Sequence, residues 1–180
     1  DVECAPHTGS GSRQDSAMSG AGPRIVFERV SMEFASARGP MRVVDDVSYD
    51  IRDGEFVAVI GPSGCGKTTM MNMVAGFVQP TRGRVLLDGK PIAGPGPDRG
   101  VMFQDYALYP WQTVWGNVEF GLRYGPAGDG LDATARADRV RRTIDLVGLQ
   151  GSENKYPHQL SGGMKQRVAL ARLIANEPDV

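Results

Sequence analysis

The sequence predicts an α/β fold: a mixed, mainly parallel sheet as core, an antiparallel β layer, and a helical subdomain. Three observations carry that prediction. The run Phe56-Val57-Ala58-Val59-Ile60 is continuously apolar and rich in β-branched residues, the composition of a strand buried on both faces of a parallel sheet. It leads straight into the glycine-rich Gly61-Pro62-Ser63-Gly64-Cys65-Gly66-Lys67-Thr68. Of two earlier extended runs the first alternates like a strand, and from Asp105 to Gly163 the pattern turns helical.

Taken in order, residues 1–23 are rich in Gly, Ser, Ala and Pro, with little to bury, and are expected to form a disordered tail. The chain opens on Asp, and Met18 followed by Ser-Gly-Ala-Gly-Pro reads as a translation start, which would set residues 1–17 outside the native protein and His7 with them. The domain then spans 24–180. Ile25–Val30 and Met41–Ile51 read as strands of the antiparallel layer, separated by a Gly39-Pro40 turn. After the glycine-rich stretch, a helix is expected over Lys67–Ala75, with Met70, Met71 and Val74 toward the core and Gly76 as its left-handed stop. Gly83–Asp88 reads as a strand closed by an Asp88-Gly89 turn, and Gly100–Gln104 as one more buried strand.

The helical subdomain is expected over about 105–163. Thr113 caps a helix that carries Val114, Val118 and Leu122, and Gly125–Gly130 is a flexible break. A second helix, Ala133–Val147, aligns Ala133, Ala137, Val140, Ile144 and Val147 on one stripe and ends at Gly148. Its basic residues Arg136, Arg139, Arg141 and Arg142 have acidic neighbours at Asp138 and Asp145, and read as a solvated face.

Composition narrows the function. With 180 residues, 41% of them hydrophobic, the chain builds one core. Twenty basic and 21 acidic side chains leave a net charge of −1, so no overall field draws a nucleic-acid backbone or an anionic membrane. No stretch approaches the roughly 18 apolar residues of a spanning helix, so any membrane role would run through a protein partner. Cys4 and Cys65 suggest no disulfide framework, and a reducing cytoplasm is expected.

Two segments carry chemistry. The first, Gly61 to Thr68, fits G-x-x-x-x-G-K-[ST] at every fixed position, the cradle for nucleotide phosphates. Gly61, Gly64 and Gly66 allow the backbone to turn its amides toward the phosphates where a Cβ would clash; Pro62, Ser63 and Cys65 complete the loop. Lys67 supplies a point charge, Thr68 a hydroxyl for Mg²⁺, and the helix starting through Thr69 adds its positive end. Alone, this cradle leaves kinases, GTPases and helicases open. The second segment, Leu160-Ser161-Gly162-Gly163-Met164, opens a helix with a good cap and a bare amide end that can meet a further phosphate.

Together, with the flanks Tyr156-Pro157-His158-Gln159 and Lys165-Gln166-Arg167, the two segments resemble the ATP-binding cassette (ABC) ATPases that drive membrane transporters, and the resemblance covers Arg24 to Val180. It implies a P-loop NTPase fold of the ABC type, ATP and Mg²⁺ as cofactors, and a head-to-tail dimer. In that dimer Ser161, Gly162, Gly163 and Met164 face the γ-phosphate held by the second subunit's cradle. Met164 stands where the family usually has Gln, with the Ser and both glycines intact. Gln104, at a strand end, looks like the glutamine that reaches Mg²⁺ and the attacking water, and Lys67 and Gln104 are the catalytic candidates. Phe34, in the loop ahead of the antiparallel layer, resembles the aromatic that stacks on adenine; core packing explains it as well. Tyr106, Tyr109 and Trp111 fall where the family receives a coupling helix of the permease, although packing within the helical subdomain accounts for them equally. His158 is not the family's switch histidine.

The stretch Gly94 to Gln104 followed by Tyr109-Pro110-Trp111 resembles the nitrate/sulfonate/taurine importer branch. That implies uptake of a small anion with a permease and, indirectly, a periplasmic binding protein, the subunit lying on the cytoplasmic face of the membrane. In the family the Mg²⁺-supporting aspartate and the general-base glutamate follow just beyond Val180. The 180 residues therefore read as a fragment, expected to bind ATP poorly and to hydrolyse essentially none. A DNA-repair cassette would carry a coiled coil or zinc insert between the two motifs, which is absent, and a translation cassette would come in tandem.

Overall fold

The computed structural model describes residues 22–37 and 39–180, so the expectations for the tail, Cys4, His7 and Met18 lie outside the described residues apart from Gly22 and Pro23. The chain divides into two compact units, Asp1–Pro95 and Gly96–Val180.

The first unit is built on a four-stranded sheet in the order β2-β1-β3-β4. Its strands are β1 (Ile25–Ser36), β2 (Gly39–Ile51), β3 (Arg82–Leu87) and β4 (Lys90–Pro91). All pairings are antiparallel, with Ile25 opposite both Ile51 and Leu87. The expected β layer is therefore present, but Gly39-Pro40 opens β2 rather than forming the turn. Bulges interrupt β1 near Phe27–Met32, where Arg29 turns left-handed and its amide donates to Ser48 Oγ at 3.1 Å. The β3–β4 hairpin closes through Asp88-Gly89, both at positive φ as a tight primed turn requires.

Helix α1 (Lys67–Ala75) has the expected bounds, and Gly76 ends it at φ 81. It buries Met73 against Ile25, Phe27, Val30, Met32, Val85 and Ile92, with Met70 and Val74 partly buried. Met71, expected in the core, is 59% exposed. The buried stripe runs through Met70, Met73 and Val74, so that Met73 and not Met71 lies over the sheet.

The parallel strands expected at Phe56–Ile60 and Gly100–Gln104 are not formed among the described residues. Phe56 and Ile60 are 94% and 88% exposed, and Met102 and Phe103 are exposed as well. An apolar run becomes a central strand only with ladder partners on both edges, and none of the four strands pairs with either run. Among the described residues parallel pairing shows at one step, in the second unit. The Val180 amide donates to Asp98 O at 3.0 Å and the Gly100 amide to Val180 O at 2.6 Å.

The second unit packs α2 (Val114–Tyr124), α3 (Ala133–Leu146) and α4 (Gly162–Ala175) around Val118, Leu122, Val140, Ile144, Leu149 and Val168. The expected break at 125–130 holds a short 3₁₀ turn, Pro126–Gly128. Thr113 caps α2, its hydroxyl accepting from the Gly116 amide at 3.2 Å, and Asp132 caps α3 in the same way. The basic face of α3 divides. Arg141 and Arg142 are exposed, as expected, whereas Arg136 and Arg139 are largely covered and pair with Glu119 and Glu177 at 3.2 and 2.6 Å. Residues from two other elements supply those carboxylates, which α3 alone does not reveal.

Asn117 is fully buried and ties down the loop before α2. Its Oδ1 accepts from the Tyr109 amide at 2.8 Å, and its Nδ2 donates to the carbonyls of Tyr109, Gln112 and Thr113 at 3.0–3.1 Å. Asn117→Ala strands these groups out of water, at ~1–3 kcal/mol for a buried unsatisfied donor or acceptor. Urea unfolding of the 180-residue chain should show a loss of about 2–3 kcal/mol; an unchanged midpoint would remove Asn117 as the anchor.

Candidate functional site

The loop Gly61–Thr68, expected from the sequence to cradle phosphates, lies in the first unit and leads into α1. Gly64 and Gly66 take φ 85 and 91, a region that L side chains avoid. Gly66 is also buried, and a Cβ there would lie 2.7 Å from the Val43 carbonyl oxygen of β2. At Gly61 a Cβ would meet Cys65 Sγ at 2.6 Å. The glycines are thus required by dihedral at two positions and by closeness of packing at two.

Gly66 leads into α1, whose first-turn amides at Lys67, Thr68 and Thr69 have no acceptor within the helix, and no acidic side chain stands in that turn. The helix end keeps its positive character. The Lys67 ammonium is drawn back into the loop, where it donates to the Gly61 and Pro62 carbonyls, both at 2.7 Å, with Cys65 Sγ at 3.6 Å. A lysine ammonium held by a glycine-rich loop, on a helix whose first-turn amides lack an acceptor, suits a tetrahedral, multiply charged anion. Ser63 and Thr68 are exposed, and Thr69 is half-buried. Through this fit, Lys67 and the amides of Gly64–Thr69 would hold phosphate, and the Thr68 hydroxyl would be a ligand for Mg²⁺. The metal would supply charge neutralisation there.

The second unit carries the other expected groups. Ser161 is the N-cap of α4, its hydroxyl accepting from the Met164 amide at 3.3 Å. Ser161, Gly162 and Gly163 are exposed, and a Cβ on either glycine would meet nothing within 4 Å. Buried Leu160 anchors the turn, and Met164 packs partly on the helical core. The helix tip is therefore presented outward on a fixed base, with no acidic residue in its first turn.

Gln104 is exposed and precedes a turn in which Tyr106 and Ala107 both have positive φ, 63 and 42. Tyr109 packs on Phe120 with ring centroids 4.3 Å apart and lies 5.7 Å from Trp111, which is 69% exposed. Tyr106 and Tyr109 line a cavity of about 280 Å³ with Phe103, Phe120 and Arg172; Trp111 stands outside it. Phe34 is not in a loop: it belongs to β1, opposite Met41, and is 37% exposed. The hairpin extends further than the alternation of polar residues indicates, since backbone pairing continues to Ser36 and Gly39. His158 is exposed, stacked 5.8 Å from Tyr156.

Sequence reasoning missed Asn117 and Arg172. Burial holds the Arg172 guanidinium below its ordinary value, with the Tyr109 hydroxyl opposing the shift. Neither residue lies in a motif, and nothing in the sequence marks either of them as a contact of the Gln104 turn.

Comparison with known proteins identifies the family. Residues 44–180 match the family model described as ABC transporter. The nitrate import ATP-binding protein of Synechococcus elongatus is 46% identical over 154 residues, 86% of this chain and 56% of that protein. The taurine import ATP-binding protein of Burkholderia pseudomallei is 47% identical over 155 residues, 86% of this chain and 58% of that protein. The chain thus spans less than three fifths of the length of these curated relatives. Among solved structures, a dimeric ATP-binding cassette in a post-hydrolysis state with ADP and Pi superposes with a TM-score of 0.76 at 31% identity, over 86% of this chain and 70% of that one.

Proposed function

The chain belongs to the ABC transporter family, and from that premise we propose that it is the ATP-binding part of an importer subunit that couples ATP binding and hydrolysis to uptake of a small anion. The single observation that carries the reading is the presence on one chain of two helix ends suited to phosphate. One is wrapped in the Gly61–Lys67 loop, and the other is capped by Ser161 and left open at Gly162 and Gly163.

Within this reading Lys67 and the loop amides orient the phosphates, and Thr68 with Gln104 supports Mg²⁺. The tip of α4 grips the γ-phosphate held by a second copy. Two copies close head to tail around ATP, and hydrolysis releases them, so that nucleotide acts by shifting a population. Tyr106, Tyr109 and exposed Trp111 are the proposed contact with a permease, whose partner outside the cell membrane is a binding protein. The subunit works at the cytoplasmic face; no helix among the described residues is long and apolar enough to cross a membrane. Likeness to nitrate and taurine import proteins supports a small anion as cargo, which this subunit itself does not touch.

The test uses protein expressed from the whole gene, with its native cysteines, Cys65 among them, replaced by Ser and cysteines placed at Ser63 and Gly162. ATP should promote a crosslinked dimer that ADP does not. Failure of ATP to join two copies would overturn the shared pocket and the coupling built on it.

A further inference from the structure

The backbone after Gln104 is held in an unfavourable shape by one side chain. Tyr106 and Ala107 are consecutive non-glycine residues in left-handed conformation, where Cβ crowds the following carbonyl. Both of their carbonyls accept from Arg172 of α4: Ala107 O from Nη1 at 2.7 Å, Tyr106 O from Nη2 at 3.1 Å. The Tyr109 ring lies 5.4 Å from the guanidinium carbon and closes it off from the other side. A planar fork spans two adjacent carbonyls in a way that an ammonium does not. Asn117 fixes the next step of the chain through the Tyr109 amide. Arg172 stands 11 residues after Ser161 on one continuous helix, roughly 16 Å along its axis.

We propose that Arg172 is a positioning residue that sets the exit of the chain from Gln104, and hence the reach of the Gln104 side chain, from the same helix that presents Ser161. The proposal rests on the reading that Gln104 serves the nucleotide's Mg²⁺. The α4 tip and the Gln104 turn then move as one body, so a displacement of the helix reaches Gln104 without passing through the cradle.

The test compares Arg172→Met, which keeps the apolar stem and removes every donor, with Arg172→Lys. Amide exchange in the 180-residue chain is read at Tyr106, bonded to Phe103 O at 3.2 Å, and at Tyr109. R172M should exchange about tenfold faster or more at both, while Val168–Ala175 stay protected, and R172K should fall between. Equal protection in all three proteins would overturn the proposal, because packing of the stem would then suffice. Should R172M open α4 as a whole, R172K decides: faster exchange confined to 105–109 supports the proposal, and none defeats it.

A second arm measures the gain in ATP affinity on adding Mg²⁺ in protein from the whole gene. Q104A should abolish the gain, R172M should reduce it severalfold, and the double variant should match Q104A alone. A full gain in R172M beside a lost one in Q104A would overturn the proposal. A full gain in Q104A instead removes the reading of Gln104, and the exchange data then settle what Arg172 holds.

Discussion

Replacing Lys67 with Ala is expected to weaken ATP binding by about 10²- to 10³-fold with the fold intact. Hydrogen bonds to charged groups contribute ~1.5–3 kcal/mol each, and each ~1.4 kcal/mol is tenfold in affinity. The ammonium already sits 2.7 Å from two loop carbonyls, so its side chain is ordered within the loop. Little ordering entropy then opposes its contacts with an anion. The fold does not depend on it, because the left-handed entry to α1 is set by Gly66 and Ala is a good helix former. Lys67→Arg should behave like the Ala variant, since a planar fork does not fit a ring shaped around a point donor. Titration with a fluorescent ATP analogue at fixed Mg²⁺ measures the loss, and the thermal midpoint checks the fold. Affinity within threefold of the parent would exclude Lys67 from the phosphate site.

What could be read from the sequence was what local chemistry decides. The bounds of α1, its stop at Gly76, the Asp88-Gly89 turn and the Thr113 and Ser161 caps each depend on a few adjacent residues, and each stands where expected. The cradle was legible for the same reason, as its shape follows from glycines at Gly64 and Gly66 and from a lysine five bonds long. Nonlocal pairing was not legible. Phe56–Ile60 has the composition of a central strand, yet composition cannot provide the neighbouring backbone that makes one. The sequence puts Phe34 in a loop because ladder partners across a hairpin are invisible in one strand. Arg136 and Arg139 read as part of a solvated helix face and Arg172 lies in no motif; only the carboxylates or carbonyls brought to them by other segments reveal their roles.

Gly163→Ala should leave the chain as stable as before or more so, and should still impair the nucleotide-driven dimer of the whole-gene protein by about 10- to 10²-fold, the equivalent of one charge-assisted hydrogen bond. The reasoning starts from a contrast between glycines. At Gly66 the left-handed dihedral and the Val43 carbonyl both forbid a side chain, so the fold itself explains the residue. At Gly163 neither holds. Its φ is not positive, an added Cβ meets nothing within 4 Å, and Ala is favoured over Gly inside a helix by up to ~1 kcal/mol. An exposed glycine that costs helix stability without serving the chain's own packing points to something that must approach its backbone from outside, and the open amides beside Ser161 suit a phosphate. Thermal unfolding together with sedimentation of the dimer in ATP separates the two effects. An unaltered dimer would take the α4 tip out of the shared pocket, whereas a destabilised monomer would mean that Gly163 serves packing after all.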